Sequence, residues 1–153
     1  MKLGVISDTH IRYFSELPQN LLKALEKVDL IIHAGDIVTA DVVRGLQELA
    51  PLKAVYGNMD LPEVRAILAD REILEAEGKQ IGIVHGSGGP WGLEARVKAL
   101  FPQAHAIIFG HSHQSFNRVI DGVLLFNPGR ASQSYGIIEI DGSFKARIYE
   151  GYY

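Results

Sequence analysis

Residues 3–10 read Leu-Gly-Val-Ile-Ser-Asp-Thr-His, a short apolar run that ends in two side chains able to bind a metal. Apolar runs rich in Val and Ile are typical of strands that are buried on both faces of a parallel sheet. The pattern recurs along the chain, with segments of helical periodicity between the runs. The five runs are 3–6, 30–32, 54–56, 81–84 and 106–109. Their alternation with helices predicts an α/β fold.

The segments between these runs carry leucine and valine at helical spacing, which predicts amphipathic helices within 17–28, 42–49 and 93–100. After residue 114 the pattern changes to closely spaced strands with Asp-Gly turns at 121–122 and 141–142. Asp-Gly between apolar runs favours a hairpin. We therefore expect an antiparallel C-terminal third, with strands at 116–120, 123–126, 136–140 and 144–149. No linker or repeat divides residues 1–153, so a single domain is predicted.

Composition excludes several classes of protein. The chain has 153 residues, a net charge of −3 and no cysteine. Disulfide scaffolds and thiolate zinc sites are therefore excluded, and binding to long nucleic acid is disfavoured because it usually needs a basic excess. No apolar segment approaches the length of a membrane span. We expect a cytoplasmic protein that does not associate with membranes.

Metal-capable side chains follow all five apolar runs, mostly beside glycine. They are Asp8, His10, Asp36, Asn58, His85, His111 and His113. The carboxyl ends of parallel strands form the ligand-binding edge of an open α/β sheet, so these groups are predicted to converge. In an extended segment residues two apart project to one side, so Asp8 with His10 and His111 with His113 would each address one site. About seven mixed ligands are too many for one tetrahedral zinc and suit two octahedral ions such as Mn²⁺ or Fe²⁺.

Each of these residues has a simpler interpretation when it is taken alone. Asp8 or Asp36 would be a helix cap, Asn58 a turn former and His85 a hydrogen-bonded histidine of the interior. The coincidence at five strand ends favours the metal hypothesis. Two other histidines fall outside this set, because His33 lies inside a strand and His105 precedes one, and both are interpreted as structural.

The order Asp-x-His, Gly-Asp, Gly-Asn, His-Gly and Gly-His-x-His resembles the motif set of the calcineurin-like metallophosphoesterase superfamily. The short chain and Asn127-Pro128-Gly129 are similar to its small bacterial and archaeal phosphodiesterase branch. The resemblance implies a four-layer α/β/β/α sandwich of two mixed sheets flanked by helices. It also implies two divalent metal ions per chain, with Mn²⁺ expected and Ni²⁺, Fe²⁺, Zn²⁺ or Mg²⁺ as alternatives.

The resemblance assigns roles by position. The first metal would be held by Asp8, His10 and His113, the second by Asn58, His85 and His111, and Asp36 would bridge the two. Asn58 and His111 are also expected to act in catalysis, with the Asn58 amide stabilising charge on the phosphoryl oxygens. Asp60 would orient a site histidine or a water, or alternatively cap the turn before Pro62. The family's usual Gly-Asn-His triplet reads Gly57-Asn58-Met59 here, and a thioether cannot donate a proton to a leaving group.

Three further side chains are candidates for substrate binding. Trp91, in the glycine-rich stretch 87–92, would stack on a substrate or instead anchor its loop against the core. Arg130 would bind a substrate phosphate or form an exposed salt bridge. The same two alternatives apply to Arg12.

The resemblance implies a phosphodiesterase in which a metal-bridging hydroxide attacks phosphorus in line. Two alternatives stay open: a phosphomonoesterase of a small metabolite, and a non-catalytic interaction module that resembles the retromer scaffold subunit of eukaryotes. Asp36 and Asn58 are both present, which favours catalysis, and the missing histidine at residue 59 favours diesters. Relatives are often dimers or tetramers, so a homo-oligomer is expected, with a small phosphoester as the substrate.

Overall fold

Two five-stranded sheets packed face to face form the centre of the fold in the computed structural model, which describes residues 1–151. The last two residues of the predicted domain lie outside the described residues. In spatial order the first sheet contains β10 (Phe144–Glu150), β9 (Ser134–Ile140), β1 (Lys2–Ile6), β2 (Leu30–His33) and β3 (Leu52–Ala54). The second contains β4 (Arg71–Ala76), β5 (Lys79–Val84), β6 (Ala106–Ile108), β8 (Val123–Asn127) and β7 (Phe116–Ile120).

Helices cover the outer faces of both sheets. The helices are α1 (Gln19–Leu25), α2 (Ala40–Leu49), α3 (Pro62–Arg65) and α4 (Leu93–Leu100), and a 3-10 turn spans Phe14–Glu16. Leu21 and Leu25 of α1 and Leu46 of α2 pack on the first sheet, whereas Leu93 and Val97 of α4 pack on the second. Within residues 1–151, every helix is too short or too polar to cross a bilayer. The four-layer sandwich that the resemblance implies is confirmed.

The central strands are buried on both faces, as their continuous apolar runs predict. Leu3 and Val5 of β1 pack between the two sheets, while Ile6 points toward the helices on the other side. In β5 and β6 the same alternation places Ile81 and Ile108 between the sheets. A strand whose side chains alternate between two apolar layers needs hydrophobic residues at every position.

The C-terminal hairpins are divided between the sheets. The β7–β8 hairpin extends the second sheet and the β9–β10 hairpin extends the first. The turn of the β7–β8 hairpin has φ of 52° at Asp121 and 78° at Gly122, the left-handed pair that a two-residue hairpin turn requires. The antiparallel pairing expected within the C-terminal third is observed in both hairpins, and β8 joins the earlier strands through a parallel pairing with β6.

Two elements have no counterpart in the sequence prediction. Strand β4 is an edge strand in which Arg71, Ile73 and Glu75 are exposed, so it lacks the apolar run of a buried strand. Helix α3 has four residues and is too short to show a helical period. Strand β3 also ends at Ala54, two residues earlier than predicted, which leaves a longer loop before Gly57.

Candidate metal centre

The predicted ligands lie on five loops that begin at the carboxyl ends of β1, β2, β3, β5 and β6. The first three strands are parallel neighbours in one sheet, and β5 and β6 are parallel neighbours in the other. Because the sheets face each other, their loops meet at one end of the sandwich. The predicted convergence is observed for the carboxylates and imidazoles.

Two buried carboxylates lie at the centre of this cluster. Asp36 Oδ2 is 3.4 Å from His10 Nε2 and 3.2 Å from His85 Nε2. Asp8 Oδ1 is 3.4 Å from His113 Nε2, 3.6 Å from His10 Nε2 and 3.8 Å from His85 Nε2. One ligand atom from each of Asp8, His10, Asp36 and His113 lies within 4.8 Å of the others, a spacing at which a metal ion can be held.

The four histidines form two edge-to-face pairs on either side of the carboxylates. We call His10 with His113 the His10 pair and His85 with His111 the His85 pair. The ring centroids are 5.2 Å apart in each pair. Both rings of the His85 pair bond backbone carbonyls, His85 Nδ1 to Ala34 at 2.7 Å and His111 Nε2 to Gly88 at 2.8 Å. A carbonyl can only accept, so these nitrogens carry the protons, and His85 Nε2 and His111 Nδ1 keep their lone pairs when the rings are neutral.

The backbone at the ligands is left-handed, which the sequence did not predict. The φ angles are 54° at Asp8, 49° at His10, 61° at Asp36, 75° at His111 and 63° at His113. The expectation that extended segments bring residues two apart to one side is therefore wrong, although the side chains still converge. Asp, Asn and His tolerate this region better than most residues, and it is concentrated at functional sites because the surrounding structure must enforce it.

Unpartnered polar atoms in the cluster fit a bound cation. Within residues 1–151, Asp8 Oδ1 and His85 Nε2 are buried and have no hydrogen-bond partner. Burying such atoms without a partner is unfavourable, and a divalent ion would satisfy both. Carboxylate and neutral imidazole are ligands that Mn²⁺, Fe²⁺ and Zn²⁺ accept. The residues present therefore fit a metal.

Charge in the cluster moves two pKa values in opposite directions. Burial opposes ionisation of Asp36, but the adjacent His85 ring and the Met59 N–H outweigh it and lower the pKa of this carboxyl to about 2. Burial also opposes the charged form of His85, yet the carboxylates of Asp36 and Asp8 raise the pKa of this ring. Asp36 is thus an anion at neutral pH, as a metal ligand must be.

Asp60 holds two ligand loops together through the backbone. Its carboxylate accepts the N–H groups of Asp36 at 3.1 Å, Val38 at 2.5 Å and Gly57 at 2.6 Å. These bonds join the loops that follow β2 and β3, and a role of Asp60 in orienting a histidine or a water stays a prediction. Asn58 is exposed and lines a cavity together with His85, so it lies at the rim of the cluster.

The three candidate substrate-binding residues differ in their surroundings. Arg130 donates from Nη2 to His113 Nδ1 at 2.8 Å, and within residues 1–151 it forms no ion pair with a carboxylate, so the salt-bridge alternative is wrong. Trp91 is 91% exposed, which excludes the alternative that it anchors its loop against the core. Arg12 is exposed, and its backbone, rather than its guanidinium, bonds Glu16 and Thr39.

His33 and His105 lie outside the cluster, as expected. His33 is fully buried, accepts the Gly35 N–H at Nδ1 and contacts Thr9 Oγ1 at 3.2 Å. Burial, with a smaller contribution from the nearby His85, lowers the pKa of His33 to about 3. His105 is exposed and accepts the Gln80 N–H.

Three supporting residues are not among the predicted site residues, although two of them flank predicted ligands and Asn127 belongs to the Asn-Pro-Gly segment. Ser7 Oγ donates to Asp8 Oδ2 at 2.6 Å, and Thr9 Oγ1 donates to the Asp36 carbonyl at 3.3 Å. Asn127 is buried and donates to the Gly110 carbonyl at 3.0 Å. At Gly110 a Cβ would lie 2.8 Å from Asp8 Oδ2, so only glycine allows this loop to approach the carboxylate.

The structure is a two-sheet α/β sandwich that carries a cluster of carboxylates and histidines at one end of its strands. Residues 1–142 match the family model of the calcineurin-like phosphoesterase superfamily domain, and the chain belongs to this family. A probable metallophosphoesterase of Methanothermobacter thermautotrophicus is 37% identical over 151 residues, covering 93% of this chain and 87% of that protein. The phosphodiesterase MJ0936 of Methanocaldococcus jannaschii is 32% identical over 146 residues, with 84% and 83% covered.

Solved structures share this fold. The solution structure of Thermotoga maritima protein TM1076 has a TM-score of 0.79 at 34% identity, with 97% of this chain and 98% of that chain covered. Vps29 of Chaetomium thermophilum has a TM-score of 0.80 at 15% identity, with 98% of each chain covered, which shows a shared fold alone.

Proposed function

We propose that this chain is a phosphodiesterase that uses two divalent metal ions, with Mn²⁺ preferred. The observation that carries the proposal is the position of Asp36. Its carboxylate contacts one ring from each histidine pair, His10 at 3.4 Å and His85 at 3.2 Å. A carboxylate shared by two ligand sets is the arrangement that a bridging ligand of a two-metal site requires.

The ligand sets follow from this arrangement. Asp8 and the His10 pair would hold one ion, and Asn58 and the His85 pair would hold the other. When bound at these residues, the ions would supply positive charge near the phosphoryl oxygens and would lower the pKa of a bound water. Carbonyl bonds keep the rings of the His85 pair oriented, Asp60 positions two ligand loops, and the exposed Asn58 amide would donate to a phosphoryl oxygen.

Residue 59 supports diesters with stable leaving groups. Met59 is 55% exposed beside Asn58, and its thioether has no proton to donate. Without a donor at this position, a leaving group that is stable as an anion departs more readily than an alkoxide. A relative that is 32% identical is named a phosphodiesterase, which supports the same substrate class.

A purely non-catalytic role fits the cluster less well. Asp8 and Asp36 are almost completely buried next to three imidazoles, and Asp8 Oδ1 and His85 Nε2 lack partners within residues 1–151. An interaction module has no need to bury unsatisfied charge at such an energetic penalty.

The test is hydrolysis of bis(p-nitrophenyl) phosphate and p-nitrophenyl phosphate by chelator-treated protein, before and after addition of Mn²⁺. We expect turnover that depends on Mn²⁺ and a higher kcat/KM for the diester. A preference for the monoester would favour the phosphomonoesterase alternative. Bound metal without turnover of either substrate would contradict the proposal in favour of a binding module. The cytoplasmic location and the homo-oligomer stay predictions.

A further inference from the structure

A cavity of about 460 Å³ opens beside His85 and Asn58. It extends away from these residues between the Gly57 turn, strand β4 and helix α4, and Tyr56, Ser87 and Leu100 also line it. Its volume lies in the range of cavities that hold small ligands. A substrate whose phosphorus lies at the proposed metal centre would place its remaining atoms here.

The cavity is positively charged in a chain that is negative overall. Three arginines line it, Arg65, Arg71 and Arg96, and Asp70 is its only acidic lining residue within residues 1–151. The whole chain carries a net charge of −3. A concave surface lined by one sign of charge concentrates ligands of the opposite sign. The local charge therefore favours an anionic group in addition to the phosphate at the metal centre.

Two of the arginines hold the walls in place. The Arg65 guanidinium lies 5.0 Å above the Tyr56 ring and bonds three carbonyls of the neighbouring turn, and the Arg96 guanidinium bonds three carbonyls of the glycine-rich loop. The acceptors are the carbonyls of Gly57, Asn58 and Asp60 for Arg65 and of Ser87, Gly89 and Trp91 for Arg96. These bonds fix the shape of the cavity and leave its charge in place.

The third arginine is free to bind a ligand. Arg71 begins strand β4 and pairs with Val84, the residue before His85. Cross-strand neighbours have Cβ atoms about 4.5–5.5 Å apart, so Arg71 starts close to the metal centre. Within residues 1–151 its exposed guanidinium has no hydrogen bond or ion pair, and adjacent Asp70 does not neutralise it. A free guanidinium offers a planar fork that matches two oxygens of a phosphate.

We propose that this cavity binds a second phosphate group of the substrate, and that Arg71 recognises it. The preferred substrate is then a phosphodiester that carries a further phosphate. This inference rests on the proposed phosphodiesterase function and narrows its substrate class. Arg71 makes no covalent change and contributes binding energy remote from the reacting phosphorus.

The experiment compares two substrates that differ only in the second phosphate. They are the p-nitrophenyl ester of thymidine 5′-phosphate and the same ester with a 3′-phosphate. With Mn²⁺ present, we expect kcat/KM to be about tenfold higher for the 3′-phosphorylated ester. Arg71→Gln removes most of this preference. The matched control Arg147→Gln, at an exposed position of edge strand β10 in the other sheet, keeps both values.

Two outcomes overturn the inference: equal kcat/KM for both esters in the wild-type protein, or a preference that survives in Arg71→Gln. If neither ester is hydrolysed, the proposed function fails, and the second-phosphate site is then tested by ligand binding alone. Calorimetry with thymidine 3′,5′-bisphosphate and thymidine 5′-phosphate then measures the same contrast as a ratio of Kd values. Equal Kd values would overturn the second-phosphate site, whereas a ratio lost in Arg71→Gln would support it.

Discussion

The His85 pair and the His10 pair differ in what holds their rings. Both rings of the His85 pair donate to backbone carbonyls, and the His85 side chain is 4% exposed. In the His10 pair the side chains of His10 and His113 are 28% and 35% exposed, and His113 Nδ1 accepts from Arg130. The carbonyl bonds fix the His85 pair in the tautomers that a metal ligand needs. In the His10 pair, the Arg130 guanidinium is already bonded to His113 Nδ1.

His113 shows the consequence of this difference. A guanidinium can only donate, so His113 Nδ1 must accept, and the neutral ring then carries its proton on Nε2, toward Asp8. Binding of a metal through Nε2 requires the opposite tautomer. Burial, together with Arg130 and against the pull of Asp8, lowers the pKa of His113 and keeps the ring neutral. A metal held through His113 Nε2 would therefore require the contact between His113 and Arg130 to change.

The largest effect is expected from Asp36→Asn, which breaks the link between the two pairs. A neutral amide cannot bridge two cations, so metal binding and diester turnover should fall together by at least about 10²-fold. The asparagine oxygen can still accept the Met59 N–H, so the fold should be kept. The measurements are metal stoichiometry, kcat/KM and the circular dichroism spectrum.

Asp41→Asn is the matched control for this variant, because Asp41 also accepts one backbone N–H, from Phe14, away from the cluster. It should retain metal and activity. Full turnover in Asp36→Asn would refute the assignment of Asp36 as the bridging ligand.

The next effect concerns His33, whose bonds to Thr9 and Gly35 connect the loops that follow β1 and β2. Its pKa is about 3 in the folded chain, against 6.5 ordinarily, so below pH 6.5 the unfolded chain takes up a proton that native His33 does not. Stability is therefore lost as pH falls from 6.5 toward 3. In His33→Gln this loss should shrink by about 1.5 kcal/mol by about pH 5.

Urea unfolding across this pH range measures the loss in each protein. His105→Gln, which replaces an exposed histidine outside the cluster, is the matched control variant. A slope that is the same in His33→Gln and the wild type would show that His33 does not titrate in this way.

A smaller effect is expected from Met59→His, which adds a proton donor on the Asn58 side of the cluster. Turnover of alkyl esters should rise by several-fold, whereas activated aryl esters should change little because nitrophenolate needs no protonation. Met59→Gln is the control, since glutamine is polar but is not a general acid. Equal gains on both substrate types would contradict this explanation of leaving-group departure.

The smallest effect is expected from Arg130→Ser, which frees His113 Nδ1. Binding of Mn²⁺ by the His10 pair should tighten by about threefold or more, because a repelling cation and a competing hydrogen bond are both removed. Calorimetric titration of the chelator-treated protein measures the Kd. Arg118→Ser, at an exposed position of β7, should leave it unchanged. Weaker binding in Arg130→Ser would show that Arg130 assists the metal site instead.

The sequence predicts the fold well where burial is strong. Central strands such as β1 and β6 are apolar throughout because both faces are covered, and their polar ends predict the convergence of ligands. Strand β4 escapes prediction because an edge strand carries charge at residues such as Arg71. The parallel pairing of β8 with β6 depends on which sheet a hairpin joins, and no local pattern encodes that choice.

Details of the candidate site are less predictable than its composition. The types and order of the ligands are visible in the chain, but their left-handed backbone follows from loops such as that of Asp8 packing against Gly110. The contact between Arg130 and His113 joins two loops on different connections. Such contacts arise only after both sheets have packed, so residue spacing carries no signal for them.

The backbone bond of Met59 has a further consequence for how this scaffold diversifies. The Met59 N–H donates to the Asp36 carboxylate, while the Met59 side chain is 55% exposed. The backbone of Met59 therefore supports the cluster, and its side chain can vary independently of that support. Under the proposed function, substitution of this side chain would change the range of esters that are cleaved, while the backbone bond to Asp36 would be kept.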